Sequence, residues 1–297
     1  MKKIIPSQIQ IETVAGYCNV RCTMCPIGKS KRKEIMKNGV FERILQRLLP
    51  IRENINILTL LGLGETLMDT KIIDKIRIAK RYKFSEVGIF SNGMNLTERT
   101  ALRLLYAGLD SIVLSIDGFK KETEESIRIG SNFERIVENI DSFIEIRKAL
   151  NAKTKIIIRF TKQEKNKDEW LNFLEFWSGK LSKDHGDAIF SYNIHNAGDE
   201  TIKNESSRNI PTENLKCPEV FNRMIIFSDG SIGLCCGDQF GHYDIGNILE
   251  SDPIELYNHK LFQHYREEMI QGNISNLELC KSCTVAHSIA TSTHIFL

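Results

Sequence analysis

The chain has 297 residues, 41% hydrophobic and 26% charged, which is enough apolar material for one large domain or a main domain with a smaller companion. Its 40 basic and 38 acidic residues leave a formal charge of +2, so composition gives no reason to expect nucleic acid or a membrane surface as a partner. No apolar run reaches the length of a membrane span, and Pro6, Ser7 and Gln8 interrupt the first one. A cytoplasmic location is therefore expected, where eight cysteines read as metal ligands rather than disulfides.

In chain order, apolar or alternating runs predict strands at IQIETVAG (9–16), INILTLLG (55–62), EVGIFSNG (86–93), SIVLSIDG (111–118), TKIIIRF (154–160) and DAIFSYNI (187–194). Between and after them, apolar residues at i, i+3 and i+4 predict helices over 41–49, 71–82, 97–108, 133–150 and 170–181, with Thr97 as a cap and Gly108 at a helix end. The basic run KSKRK, Lys29 to Lys33, reads as a solvated loop. Six strand–helix repeats imply a parallel sheet. The fold class is thus α/β, an open, partial (β/α)6 TIM-type barrel with its site at the C-terminal ends of the strands.

From residue 196 the segment NAGDETIKNESSRNIPTENLK is polar and aperiodic and reads as a linker. Beyond it, FNRMIIFSDGSIGLCCGD predicts a hairpin turning at Asp229–Gly230, and PIELYNHKLFQHYREEMIQG predicts one helix from Pro253 to Gly272. Two domains are expected, 1–200 and 201–297, the second small and cysteine-bearing.

The cysteines fall into two groups. YCNVRCTMCP holds Cys18, Cys22 and Cys25 in a Cys-x3-Cys-x2-Cys pattern, and the later group is Cys217, Cys235, Cys236, Cys280 and Cys283. Three thiolates leave a fourth position to account for. A structural zinc ion would borrow a ligand from elsewhere, and an iron–sulfur cluster could leave one iron open.

The first pattern resembles that of the radical S-adenosylmethionine (SAM) superfamily, whose three cysteines hold a [4Fe–4S] cluster with SAM on the fourth iron. The later spacing, from Cys217 through Gly230 and Cys235 to Cys280-x2-Cys283, resembles the twitch (half-SPASM) domain, in which four cysteines ligate one auxiliary [4Fe–4S] cluster; a four-cysteine zinc ribbon is its rival. The resemblance implies SAM and two such clusters as cofactors, and a flavodoxin- or ferredoxin-type electron donor. Position by position, it places Met24 where an aromatic residue usually packs on the adenine. It places LGLGETLMD, with Gly64 and Glu65, at the family's Gly-Gly-Glu segment of the SAM pocket, Glu65 accepting from the SAM ammonium. It gives Ser91 and Asn92 of FSNG and Ser115 of LSIDG to the ribose or methionine end, and Arg128 to the SAM carboxylate.

Cys236 is left over: either a buried bystander or a hydrogen-atom donor to the substrate. Asp238 and His195 are further candidates for substrate contact or proton removal, although His195 reads first as a packing or loop histidine. Only seventeen residues precede Cys18, which leaves no room for an N-terminal peptide-recognition domain. The expectation is therefore a small polyhydroxylated substrate, sugar- or aminocyclitol-like, that is epimerised through Cys236 or dehydrogenated. A peptide maturase, or a zinc-binding scaffold without enzymatic activity, is the alternative.

Overall fold

A computed structural model describes residues 3–196 and 217–297. The linker and the boundary at residue 200 lie outside the described residues. In chain order the strands are β1 (Gln8–Ile11), β2 (Val14–Ala15), β3 (Arg21–Cys22), β4 (Glu34–Ile35), β5 (Ile57–Leu60), β6 (Val87–Ser91), β7 (Ser111–Ser115), β8 (Arg128–Ile129), β9 (Lys155–Lys162), β10 (Ala188–Asn193), β11 (Arg223–Ile226), β12 (Ile232–Gly233) and β13 (Thr293–Phe296). Nine of them form one sheet in the order β12-β11-β1-β5-β6-β7-β9-β10-β13.

The six strands from β1 to β10 are parallel neighbours in chain order, the arrangement of an open partial barrel. Each return is a helical crossover: α1 (Asn38–Leu48), α2 (Ile72–Arg81), α3 (Glu98–Tyr106), α4 (Lys121–Ile127), α5 (Phe133–Ala149) and α6 (Trp170–Ser178). Central strands are mostly apolar because helices cover one face, and every residue of β7 is buried. The helices bury one stripe each: Ile136, Ile140 and Phe143 of α5 face the sheet, and Asn132 caps it by accepting from Arg135 N at 2.8 Å.

Three features depart from the local reading. The hairpin β11–β12 does not stand apart: β11 adds beside β1 in parallel, Gln8 opposite Arg223, so the later segment shares the barrel's sheet and its core, with Met224, Ile226 and Tyr257 buried alongside Ile9 and Leu58. The opposite edge is closed by β13, antiparallel to β10. The expected helix 253–272 is two, Pro253–Tyr257 and Lys260–Gln271. It breaks where Asn258 turns its amide onto the backbone of Ile4, accepting from its N at 2.9 Å and donating to its O at 2.8 Å. That tertiary bond outweighs helical periodicity. Among the described residues no helix is long and apolar enough to cross a membrane.

Candidate functional site

Cys18, Cys22 and Cys25 lie on the loop after β1, at the C-terminal end of the parallel strands. Gly16 opens the loop with φ of +71°, and an added Cβ there would stand 2.3 Å from Arg32 O. The loop is then laced to its neighbours: Gly16 N donates to Leu63 O at 2.8 Å, Glu65 N to Tyr17 O at 2.8 Å and Thr23 N to Ile127 O at 2.8 Å. The ribbon β3–β8 sets Cys22 opposite Arg128. Gly64 belongs to the same contact, since a Cβ would meet Val14 O at 2.7 Å and Tyr17 O at 2.8 Å. The glycine before Glu65 is thus required by two backbones passing closely.

Glu65 is buried, and burial raises its carboxyl above the ordinary carboxylate range. Its Oε1 accepts from Leu67 N at 2.9 Å and Ser91 Oγ at 2.8 Å, and its Oε2 from Asn92 N at 2.8 Å. A carboxylate has about four lone-pair sites, so one stays open for a further donor. Asn92 Nδ2 donates to Asn19 Oδ1 at 2.7 Å and stands 3.9 Å from Cys18 Sγ. Ser115 and Met24 line one cavity with Glu65, Asn92 and the first three cysteines.

Arg128 is placed differently from a free carboxylate clamp. Its Nη2 pairs with Asp117 Oδ2 at 2.7 Å, its Nη1 lies 3.6 Å from Cys22 Sγ, and Glu124 stands 3.7 Å from its Nε. Any other carboxylate competes with Asp117 for this guanidinium. Burial, together with Asp117 and against the pull of Arg128, pushes the Glu124 carboxyl up to about 7. Asp117 and Glu124 are members of the site that local sequence does not signal. Asp117 ends a strand motif, while Glu124 sits in the short, highly charged α4.

Cys217, Cys235, Cys280 and Cys283 surround a second, small cavity of about 50 Å³ that they share with Val220, Met269, Ile274, Leu279 and Val285. Burial pushes the Cys217 and Cys280 thiols up to about 12 and raises the Cys235 thiol well above its ordinary value. Cys236 borders both this cavity and the larger one. Asp238, a candidate for proton removal, is committed to the backbone: its oxygens accept from Leu234 N at 3.2 Å and His242 N at 2.7 Å, holding the loop that follows Cys235.

The basic run is not wholly solvated. Arg32 Nε pairs with Glu12 Oε2 at 3.1 Å, Nη1 donates to Phe240 O at 2.7 Å, Nη2 to Gln239 O at 2.8 Å, and the guanidinium lies 3.9 Å from the Phe227 ring centre. It ties the loop carrying the first three cysteines to the loop after Cys235. Both loops border one cavity of about 590 Å³, lined by Cys18, Cys22 and Cys25 and also by Cys235 and Cys236. His195 lines it as well; its Nδ1 is buried without a partner, and burial with the charge of Arg159 holds the ring's pKa down to about 4.

The donor sets fit iron–sulfur clusters better than zinc. They are thiols only, the soft anionic donors that such clusters take. Among the described residues no three of His, Cys, Asp or Glu converge closely enough for a single metal ion. The later four thiols ring a space rather than meet at a point, as a cubane requires.

A family model described as the radical SAM superfamily matches residues 13–174, and one described as an iron-sulfur cluster-binding domain matches residues 217–284. The GTP 3',8-cyclase of Limosilactobacillus fermentum is 27% identical over 184 residues, 58% of this chain and 50% of that protein. A probable GTP 3',8-cyclase of Saccharolobus islandicus is 26% identical over 164 residues, 55% of this chain and 50% of the relative. The chain spans about half the length of the curated relatives it matches. Among solved structures, BtrN in complex with AdoMet and 2-DOIA superimposes with a TM-score of 0.62 at 17% identity, covering 94% of this chain and 93% of that one. Streptococcus suis SuiB bound to precursor peptide SuiA gives a TM-score of 0.69 at 17% identity, covering 96% of this chain and 71% of that one. At these identities the likeness is one of fold.

The relatives overturn the expected chemistry. They are named for cyclising GTP, so neither epimerisation nor dehydrogenation of a sugar- or aminocyclitol-like substrate stands, and they give no support to peptide maturation. The zinc scaffold falls with the family match, which covers more than half of the chain. The chain belongs to the radical SAM superfamily, and it is an enzyme with SAM and [4Fe–4S] clusters as its cofactors.

Proposed function

We propose that the substrate is a purine nucleotide of the GTP class, bound in the cavity between the two cluster sites, where a carbon-bound hydrogen is removed and a bond closes within the same molecule. The observation that carries this reading is the shared wall: cysteines of both groups border one cavity of about 590 Å³. Pockets that bury small molecules span roughly 300–1,000 Å³. The cyclase relatives, which match this chain over 55–58% of its length, supply the substrate class.

Cys18, Cys22 and Cys25 would hold the cluster to which SAM binds, and the bound pair would supply a 5′-deoxyadenosyl radical. The chain's own residues bind and orient. Glu65 keeps one acceptor site for the SAM ammonium, a charge-assisted bond. Ser91 holds the Glu65 carboxylate, and Asn92 reaches Cys18. Phe90, Tyr192 and Phe227 line the cavity and give its wall apolar surface. The radical left by ring closure takes one electron from the external reductant and one proton from solvent rather than a thiol hydrogen, so on this reading Cys236 packs between the two cavities, and Asp238 holds its loop.

Anaerobic incubation of the reconstituted chain with SAM, dithionite and GTP tests the reading. 5′-Deoxyadenosine should accumulate in step with GTP loss, and GTP deuterated at C3′ should pass deuterium into it. Recovery of unchanged GTP while SAM is cleaved would overturn the nucleotide substrate.

A further inference from the structure

The charged groups that line the larger cavity are almost all matched within the protein. Glu12 pairs with Arg32, Glu219 with Arg223, and Arg128 with Asp117. Glu65 and Asp238 accept from backbone amides. Arg159, on β9, is different. Its guanidinium carbon lies 5.1 Å from the centre of the Phe90 ring and 5.5 Å from that of Tyr192, and its buried Nε has no hydrogen-bond partner. No acidic side chain among the described residues forms an ion pair with it.

The two rings fix the guanidinium without neutralising it. Cation–π contact orients a cation, but it leaves the in-plane N–H donors unused. A buried, unpaired donor is costly, so such a group persists where a ligand completes it. His195 adds a second incomplete group: it stacks beside Tyr192, ring centres 5.8 Å apart, with Nδ1 buried and unpartnered. Both residues line the cavity that the cysteines of the two clusters border.

We propose that Arg159 is an anion anchor of this cavity, binding a phosphate or carboxylate of the substrate, with His195 as the second contact to the same group. A planar guanidinium presents paired donors that match either oxyanion. The imidazole, which the charge of Arg159 helps to keep neutral, can donate Nδ1–H to it. The proposal rests on the substrate occupying this cavity and not on its being GTP.

Calorimetric titration of tripolyphosphate, and separately of citrate, into the anaerobic holoenzyme with SAM bound tests it. One anion should bind the wild type saturably, and the arm that binds names the oxyanion. Arg159→Gln should weaken that binding tenfold or more, and Arg159→Lys, which keeps the charge but loses the fork, should weaken it by about threefold. Iron content equal to wild type shows that the variants are folded; if Arg159→Gln loses its iron, the Lys variant carries the test. Equal affinity in wild type and variant, or no saturable binding of either anion to the wild type, overturns the anchor. Anion binding through Arg159 with GTP left unreacted would keep the anchor and refute only the nucleotide substrate.

Discussion

The first three thiols sit on a loop laced to polar neighbours, whereas the later four sit among aliphatic side chains. Asn92 Nδ2 is 3.9 Å from Cys18 Sγ and Arg128 Nη1 is 3.6 Å from Cys22 Sγ, and this set opens onto a cavity of about 590 Å³. The later set closes around about 50 Å³ with Met269, Ile274, Leu279 and Val285. Three thiolates beside polar groups and space leave a cluster one position to offer to a cofactor. Four thiolates in an apolar shell leave none, and low polarity around the sulfurs tunes electron affinity rather than binding.

The largest effect expected from this contrast is on SAM cleavage. Cys22→Ala should remove about four irons per chain and abolish 5′-deoxyadenosine formation, while the later cluster's iron stays. Cys235→Ala should remove the other four and lower the melting temperature, because it opens the apolar shell between the hairpin and the C-terminal helices. Iron and sulfide analysis with anaerobic SAM-cleavage assays reads both. Should Cys236→Ala strip the later iron and Cys235→Ala keep it, the ligand assignment within that pair is reversed.

Much of this was legible in the sequence. Parallel strands covered by helices produce apolar runs, and strand-end motifs such as LGLGE and FSNG put Glu65 and Asn92 at the same end of the sheet as the cysteines. What local sequence did not carry is pairing over long separations. Arg32 lies in a five-residue basic-rich run that reads as solvated, yet its partners are Glu12, 20 residues away, and Phe240, 208 residues away. Beside β1, β11 pairs across a separation that no periodicity encodes. Arg128 was placed at the site by its motif, but its commitment to Asp117 depends on the β3–β8 ribbon, two residues long on each side.

Arg32 is where the contrast between the two thiol sets can be sharpened, since it joins their loops. Its side chain is 18% exposed and that of Glu12 is 3% exposed, so truncation leaves a buried carboxylate without its countercharge and two carbonyls without their donor. Breaking a buried pair costs about 3 kcal/mol or more. Arg32→Ala should therefore lower the melting temperature of the reconstituted chain by roughly 6–12 °C. Arg32→Lys, which restores the charge without the fork, should recover only part of it. A shift below about 2 °C for the alanine variant would mean that the two loops are held together by other contacts.

The smallest expected effect concerns His195, on the cavity wall that both sets border. Burial, reinforced by the charge of Arg159 on the neighbouring strand, holds its pKa down to about 4 from an ordinary 6.5. Between those values the unfolded chain binds a proton that the folded chain refuses, so stability rises with pH there. The contribution is complete above about pH 6.5 and is lost as pH falls toward 4, with a slope of at most about 1.4 kcal/mol per pH unit. Carboxylates titrate in the same window in any variant, so the informative quantity is a difference. Melting curves of wild type and His195→Gln, taken from pH 7 to pH 4.5, should diverge as the pH falls, the wild type losing stability faster. Parallel curves would place the imidazole in contact with solvent rather than in the wall. The same substitution should also weaken the oxyanion that Arg159 binds, by less than the loss of Arg159 does, because a neutral donor contributes less than a charged one.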